Sequence, residues 1–196
     1  WEAISIANRH PRVRILNPGP GVGGHCISVD PWFLVEAAPG LTPLIRTARQ
    51  VNDSQPAHVV DLIRGAFQAS SGSAELAGKR VTVLGLAYKP DVDDLRESPA
   101  IEIAQLLAQA GALVSAYEPF KTDAQIPGVR MAPSLEAALV DADLIALLVR
   151  HKRLLELSPA EILRLSPARL VVDAVNGWNA PLWRGSGFSF HRLGAG

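Results

Sequence analysis

Short runs of almost uninterrupted apolar residues recur in the second half of the chain and restrict its fold more than any other feature. The predicted strands cover residues 80–86 (RVTVLGL), 113–117, 144–149 (LIALLV) and 170–173 (LVVD). Helical patterns alternate with them and cover residues 99–110, 134–140 and 159–165. Strands that are apolar on both sides are typical of parallel sheets with helices on both faces. The sequence therefore predicts a Rossmann-like α/β domain over residues 78–196.

Helical signals dominate the first part of the chain. Thr42 and Pro43 are typical of a capped helix start, and apolar residues then recur at helical spacing as far as residue 68. Pro56 interrupts this pattern, so we expect either a kinked helix or two helices in line. A helix of this length suits a dimer interface or a spacer, and an ordinary core helix fits the pattern equally well. Ser98 is predicted to cap the helix at 99–110 in the same way.

Two further segments define the organisation of the chain. The first residues, WEAISIANRH, place Trp1, Ile4 and Ala7 at helical spacing with no Met and no cap, so we expect a fragment of a longer protein. The small, polar segment 70–79 (SSGSAELAGK) is typical of a domain boundary. We therefore predict a helical domain over residues 1–77, truncated at its start, before the α/β domain.

Composition excludes several classes of partner. Nineteen basic residues balance nineteen acidic ones among 196, so no excess of positive charge indicates nucleic acid or a membrane surface. The longest apolar runs are too short to span a bilayer. The single cysteine cannot form an internal disulfide, which favours a reducing cytoplasm.

A glycine-rich segment, GPGVGGHCISVDPW at residues 19–32, follows a predicted short strand at 13–16. It matches the G-x-G-x-x-G spacing of dinucleotide-binding loops, but that reading requires a helix at the end of the loop and an acidic residue about 20 positions on. Here Pro20 lies inside the turn, and we expect Pro31 to prevent an early helix. We therefore reject a dinucleotide-binding loop at this position. No Lys-Ser/Thr pair follows, so the segment is not a Walker A loop either.

The cysteine that ends this loop is a candidate nucleophile. Glycines allow backbone N–H groups to face a bound oxyanion, and such donors favour the reactive thiolate of Cys26. An inert, small buried cysteine is the alternative. Asp30 could position a water or hold a proton, or it could cap a turn. His25 could act as a general base, although adjacent side chains often point apart.

Three segments together resemble one family. They read NRHPRVRILNPGPGVGGHCISVDPWF, LIRTARQVND and VLGLAYKPDVDDLRESPAIEIAQLL, and they resemble the UDP-glucose/GDP-mannose dehydrogenase family. The variant HPRV…DPWF is similar to the branch that oxidises UDP-N-acetyl-D-mannosamine. The resemblance implies three domains: an N-terminal NAD-binding domain, a central domain with the cysteine and the dimer interface, and a C-terminal UDP-binding domain. This chain resembles the last two, so the fragment alone is expected to be inactive.

The resemblance also assigns roles to single residues. It implies that Cys26 attacks the sugar C6 aldehyde to give a thiohemiacetal and then a thioester, and that Asp30 assists water or proton handling. The implied substrate-binding residues are Arg12 (toward the partner subunit), Pro18, Gly19, Gly21, Gly23, Gly24, Tyr88 and Lys89. Arg96 is implied to reach NAD, Asp93 and Asp94 to order their loop, and no residue is assigned to a metal. The implied partners are a UDP-N-acetylhexosamine and a second copy of the chain.

One departure and several alternatives stay open at this stage. Family members usually have Arg or Lys after the strand VVDA, where this chain has Val175 and Asn176. Either this substrate contact is lost, or another residue such as Arg184 or Lys152 substitutes for it. A non-catalytic UDP-sugar-binding dimer is a second hypothesis, and a dehydrogenase of UDP-N-acetylglucosamine or UDP-glucose is another. A Cys-His hydrolase or acyltransferase would use Cys26 with one of the histidines at 25, 151 and 191.

Overall fold

Helices alternate with parallel strands along most of the chain. A computed structural model describes residues 1–13 and 17–195. The elements in these ranges are α1 (Glu2–Ala7), α2 (Asp30–Ala37), α3 (Pro43–Asp53), α4 (Gln55–Ser71), β1 (Arg80–Leu84), α5 (Pro99–Gln109), β2 (Leu113–Tyr117), β3 (Val129–Met131), α6 (Leu135–Leu139), β4 (Leu144–Leu147), α7 (Lys152–Leu155), α8 (Pro159–Leu165), β5 (Leu170–Asp173), α9 (Ala180–Gly185) and β6 (Ser189–Arg192). None of the helices in the described ranges is long and apolar enough to cross a bilayer.

The strands of the described chain form one parallel sheet in the order β3-β2-β1-β4-β5-β6. Strands β1 to β3 follow one another toward one edge of the sheet. The chain then returns to the centre, where β4 lies on the other side of β1, and β5 and β6 continue toward the opposite edge. In sheets of this kind the carboxyl ends of the two central strands form a crevice that ligands occupy. The predicted parallel α/β fold is confirmed, and the crevice is expected where β1 and β4 end.

Two hydrophobic cores hold the helices against the sheet. On one face, Val59, Ile63 and Phe67 of α4 pack with α5 and with the apolar side chains of the strands. On the other face, α6, α8 and α9 cover the sheet, and Trp178 stacks on Trp183 with ring centroids 4.3 Å apart. Each large side chain buried in this way contributes about 1.5–3 kcal/mol. Helix α4 precedes the predicted boundary at residue 78, yet its buried face belongs to the core beneath the sheet.

Most predicted strands and helices are present, with shorter ends. The strands predicted at 80–86 and 144–149 end at residues 84 and 147. The chain leaves β1 at Gly85, which has a positive φ of 87° that favours glycine. Two short strands, β3 and β6, were not predicted.

The long helix predicted over residues 43–68 is two helices, α3 and α4, that meet at Ser54. Pro56 lies in the first turn of α4, where its missing N–H costs nothing. Thr42 and Ser98 are the N-cap residues of α3 and α5, as predicted, but neither hydroxyl accepts a capping hydrogen bond from its helix. Thr42 donates its hydroxyl to the carbonyl of Ala38, and the buried hydroxyl of Ser98 has no hydrogen-bond partner.

The start of the chain is helical, as its spacing predicted. Helix α1 follows Trp1, whose indole N–H donates to the carbonyl of Leu193 at 2.7 Å. This bond ties the first residue to the segment after β6. The strand predicted at 13–16 lies, apart from Val13, outside the described residues.

Candidate active site

The glycine-rich loop lies directly against the segment that follows β1 and against the start of α5. A Cβ atom on Gly24 would be 2.8 Å from the ring of Tyr88, and one on Gly21 would be 3.2 Å from Pro99. A Cβ on Gly23 would overlap the backbone carbonyl oxygen of Glu97. Three of the predicted glycines are thus required by close approach, whereas nothing lies within 4 Å of a Cβ on Gly19.

Asn52 of α3 anchors this loop from the other side. Its Oδ1 accepts a hydrogen bond from the backbone N–H of Val22 at 2.8 Å, and its Nδ2 donates to the Val22 carbonyl at 3.4 Å. The loop is therefore held between α3 and the segment after β1, which fixes where the following Cys26 lies.

Cys26 lies in an exposed turn between the glycine-rich loop and α2. Its carbonyl accepts hydrogen bonds from the N–H groups of Val29 and Asp30 at 3.0 and 2.8 Å, and its thiol is exposed. Asp30 is the first residue of α2, one turn of chain from Cys26, and it is exposed as well. Pro31 lies in the first turn of α2, so the expectation that it prevents an early helix is wrong.

A charged pair lies beside the cysteine turn. Arg96 donates to both carboxylate oxygens of Asp94, with Nη2 to Oδ2 at 2.6 Å. The hydrogen bonds from Arg96, with the nearby charges of Arg96 and His25, lower the pKa of Asp94 to about 2. Hydrogen bonding and attraction to Asp94 raise the pKa of Arg96, and attraction to Tyr88 and Cys26 adds to this. Arg96 therefore belongs to the electrostatic surroundings of Cys26, and His25 to those of Asp94.

A cavity of about 210 Å³ opens at the carboxyl ends of β1, β4 and β5. It is lined by Asn17, Pro18, Pro20, Gly21, Ala87, Tyr88, Lys89, Pro90, Ser98, Pro99, Ala100, Leu148, Val149, Arg150 and Val175. The charged side chains among them are Lys89 and Arg150, and no carboxylate lines this cavity in the described part of the chain. The predicted residues Pro18, Tyr88 and Lys89 thus line one cavity, and the charged side chains of this cavity are all positive.

A buried, hydrogen-bonded pair of side chains, Glu118 and His151, which sequence reasoning did not assign, supports the segment that carries Tyr88 and Lys89. The carboxylate of Glu118 accepts hydrogen bonds from the N–H groups of Leu86 and Ala87 at 2.7 and 3.0 Å. His151 Nε2 lies 3.0 Å from the same carboxylate. Burial opposes the ionisation of Glu118, but the hydrogen bonds outweigh it, so its pKa lies below the ordinary value. The signal available in the sequence was an acidic residue directly after a buried strand.

His151 completes this support. Its Nδ1 accepts a hydrogen bond from the N–H of Asp91 at 2.9 Å, so a neutral ring must carry its proton on Nε2 and donate it to Glu118. Both ring nitrogens are therefore occupied within the interior. The histidine cannot act as a base toward Cys26 in this arrangement, which removes it from the hydrolase alternative.

Other predicted residues lie apart from the cavity. Arg12 is exposed, and its N–H donates to His10 Nδ1 at 3.2 Å. Arg184 donates to the carbonyl of Phe190, and the exposed Lys152 lies 4.0 Å from Asp91. Neither of these two cations lines the cavity next to Val175, so the structure does not favour the alternative in which one of them substitutes for the missing basic residue. The described cation at that place is Arg150.

Comparison with known proteins finds matches along most of this chain. Two models of the UDP-glucose/GDP-mannose dehydrogenase family match: its UDP binding domain over residues 82–180 and its central domain over residues 1–54. A relative from Ralstonia nicotianae, named NDP-N-acetyl-D-galactosaminuronic acid dehydrogenase, is 46% identical over 183 residues, which are 92% of this chain and 41% of the relative. The UDP-N-acetyl-D-mannosamine dehydrogenase of Methanocaldococcus jannaschii is 40% identical and covers 100% of this chain with 44% of its own length.

A solved structure shows the same fold. The UDP-D-ManNAc dehydrogenase of Pyrococcus horikoshii superposes with a TM-score of 0.84 at 34% sequence identity, over 98% of this chain and 43% of that protein. The chain spans less than half the length of these relatives.

Proposed function

The chain belongs to the UDP-glucose/GDP-mannose dehydrogenase family, and on this premise we propose that it is the central and C-terminal part of an NAD-dependent UDP-N-acetylhexosamine 6-dehydrogenase. The enzyme would oxidise the C6 alcohol of the sugar to a carboxylate. The observation that carries the proposal is the contact of Gly24 with Tyr88. It joins the cysteine turn to the cavity, so one ligand can fill the cavity and reach Cys26.

Cys26 supplies the nucleophile in this proposal. Its exposed thiol loses a proton and its sulfur adds to the C6 aldehyde, which gives a thiohemiacetal that stays attached to the protein. The attachment holds the intermediate in place for its oxidation to the thioester. Asp30, one turn away, would orient the water that hydrolyses the thioester and would take up its proton.

The cavity suits the nucleotide. Lys89 and Arg150 present two positive charges, and no carboxylate among the described residues lines the cavity beside them. A diphosphate carries the matching negative charge, and the ring of Tyr88 offers an apolar surface to a sugar or base. Pro18 and Gly21 close the cavity from the side of the loop that leads to Cys26.

When bound, NAD would be the oxidant of two steps, from the C6 alcohol to the aldehyde and from the thiohemiacetal to the thioester, and each step would transfer one hydride to one NAD. Among the described residues, Arg96 fits this cofactor, because its guanidinium is largely exposed beside Cys26 and suits the phosphates of a dinucleotide. We expect most contacts with NAD to come from a domain outside these 196 residues. The chain alone should therefore bind UDP-sugars without turning them over.

The sugar is proposed at the level of its class. One relative is named UDP-N-acetyl-D-mannosamine dehydrogenase and another NDP-N-acetyl-D-galactosaminuronic acid dehydrogenase. Both names contain an N-acetylated six-carbon amino sugar or its acid, so we propose an N-acetylhexosamine. We propose UDP-N-acetyl-D-mannosamine as the first substrate to test, with UDP-N-acetylglucosamine and UDP-glucose as alternatives.

A homodimer through α3 is part of the proposal. Leu44 and Val51 of α3 are 80% and 59% exposed, and Leu41 just before the helix is 87% exposed, which leaves an apolar strip uncovered here. A second copy of the chain would cover it, and the exposed Arg12 could then reach the substrate of the partner subunit. We place the protein in the cytoplasm, where both the nucleotide sugar and the reduced cysteine are expected.

Calorimetric titration of the chain with UDP, UDP-N-acetyl-D-mannosamine and NAD tests the proposal. We expect saturable binding of both UDP ligands and no measurable binding of NAD. Tight binding of NAD without a response to UDP would show that the sheet domain binds the other nucleotide, and the proposal would then be wrong. A non-catalytic binding module predicts the same titrations, but it predicts no adduct between Cys26 and a UDP-sugar 6-aldehyde.

A further inference from the structure

We propose that Arg150 is the side chain that determines recognition of the diphosphate in this cavity. The inference rests on the proposed nucleotide-sugar function and adds a residue that no motif in the sequence indicated. Arg150 follows β4, lines the cavity beside Lys89, and is half-buried. A half-buried guanidinium in a cavity is a stronger anion ligand than an exposed one, because water screens it less.

Two backbone carbonyls hold the guanidinium in place. Arg150 Nη1 donates to the carbonyl oxygens of Val175 and Asn176 at 2.9 and 2.6 Å. An arginine has five N–H donors, and no partner for those on Nε and Nη2 is seen among the described residues. The side chain is therefore fixed by one nitrogen while the remaining donors stay available to a ligand. Such preorganisation strengthens binding, because less side-chain freedom is lost on association.

The turn that supplies these carbonyls is itself rigidly built. The buried carboxylate of Asp173 accepts hydrogen bonds from the N–H groups of Val175, Gly177 and Trp178 at 3.0, 2.8 and 2.9 Å. Asn176 has a positive φ of 51°, a conformation in which asparagine is more easily accommodated than most residues. Each of these contacts fixes the position of the carbonyls that orient Arg150.

A second guanidinium supports the same turn. Arg192 Nη1 donates to Asn176 Oδ1 at 2.8 Å, and the Nε of Arg192 is buried without a hydrogen-bond partner. The positive charge of Arg192 is thus adjacent to the turn that holds Arg150. Both cations make this side of the cavity favourable for an anion.

The charge of the cavity distinguishes it from its neighbour. A larger cavity of about 550 Å³ between α3 and α5 contains Arg49 but also Asp53, Glu97 and Glu102. Burial and the nearby Asp53 raise the pKa of Glu102, as expected where carboxylates crowd together. A dianionic diphosphate is disfavoured there and favoured in the cavity of Lys89 and Arg150.

The structure also accounts for the uncharged residue at the end of β5. Strands β4 and β5 are neighbours, with Leu147 paired to Asp173, so Arg150 and Val175 leave the sheet side by side. The positive charge expected after β5 comes instead from the adjacent strand. We infer that a basic residue at either position can serve the same ligand.

The test is calorimetric titration of the whole 196-residue chain and its variants with UDP. We expect Arg150→Gln to weaken UDP binding by about 10- to 100-fold, since a charge-assisted hydrogen-bond donor is lost. Arg150→Lys keeps the charge but loses the planar set of donors, so its affinity for UDP should lie between those of Arg150→Gln and the unaltered chain. Lys152→Gln is the matched control and should change the affinity by less than about twofold, because this exposed cation does not line the cavity.

Two further measurements keep the outcome decisive. Uridine, which has no phosphate, should bind Arg150→Gln and the unaltered chain with equal affinity. The near-ultraviolet circular dichroism of the stacked Trp178 and Trp183 reports whether a variant is folded. If Arg150→Gln loses this signal, the UDP affinity of Arg150→Lys tests the inference instead. Unaltered UDP binding by a folded Arg150 variant refutes this inference alone. Absence of UDP binding by the unaltered chain refutes the proposed function and this inference together.

Discussion

The imidazole Nε2 of His151 and the carboxylate of Glu118 lie 3.0 Å apart, and neither side chain has any exposed surface. Together they hold both ends of the segment that carries Tyr88 and Lys89: Glu118 accepts from Ala87, and His151 accepts from Asp91. The cavity wall is therefore fixed by a buried pair that does not itself line the cavity. A positioning role of this kind predicts effects on both stability and binding.

Glu118→Gln should lower the free energy of unfolding by about 2–4 kcal/mol, because the charged acceptor of three backbone N–H groups is lost in the interior. Urea unfolding followed by tryptophan fluorescence measures this change. The matched control is Glu156→Gln at the exposed end of α7, for which we expect less than about 0.5 kcal/mol. Equal stability of the two variants would show that the buried pair does not support the fold.

The pH dependence of stability should reveal the same carboxylate. Its pKa in the folded chain lies below the ordinary value of 4.5, so its contribution is complete above that value and is lost as the pH falls through the folded pKa. The difference in unfolding free energy between the unaltered chain and Glu118→Gln should be constant from about pH 7 to pH 5.5 and shrink below this range. Other shifted carboxyls are common to both proteins and cancel. A difference that grows on acidification would contradict a folded-state pKa of Glu118 below the ordinary value.

The close approach of the glycine-rich loop can be tested with a single methyl group. Gly23→Ala places a Cβ on the carbonyl oxygen of Glu97 and close to Pro99, so the loop must move away from the start of α5. We expect the affinity for UDP to fall by about 10-fold or more, because Pro18 and Gly21 of this loop line the cavity. Gly19→Ala is the control, since nothing lies within 4 Å of its added Cβ. Equal affinities of the two variants would show that the loop contact is not needed for binding.

The proposed dimer predicts a different response to surface changes. Leu44→Gln, in the uncovered strip of α3, should shift the chain toward the monomer in sedimentation equilibrium, because the apolar area that drives association is reduced. Leu182→Gln on α9, where the leucine is 58% exposed, should leave the assembly unchanged. A chain that is monomeric before any substitution would rule out a homodimer of these 196 residues.

The apolar runs were sufficient to locate the central part of the sheet. Two strands, β2 and β5, begin and end where the sequence predicted them, because strands buried on both faces have a strong apolar pattern. Helix α8 also has its predicted bounds. Strands β3 and β6 lie at the edges of the sheet and contain Arg130 and His191, so their short sequences lack such a run.

The candidate site was only partly predictable. The glycines and Cys26 form a continuous motif, and motifs of this kind can be found by spacing. Arg150 and Glu118 belong to the site only because parallel strands bring distant segments to one edge of the sheet. Their roles depend on which strands are neighbours, and this order is not readable from local patterns.

The central claim is that one UDP-sugar occupies the cavity and extends to Cys26, and the rate of Cys26 alkylation by iodoacetamide measures this most directly. The exposed thiol should react readily in the free chain, and mass spectrometry should show one adduct on the only cysteine. Saturating UDP-N-acetyl-D-mannosamine should slow the reaction by about 10-fold or more, and UDP alone, which lacks the sugar, should slow it less. An alkylation rate that stays the same with saturating, calorimetrically verified UDP-sugar would show that the cavity and Cys26 do not share a substrate.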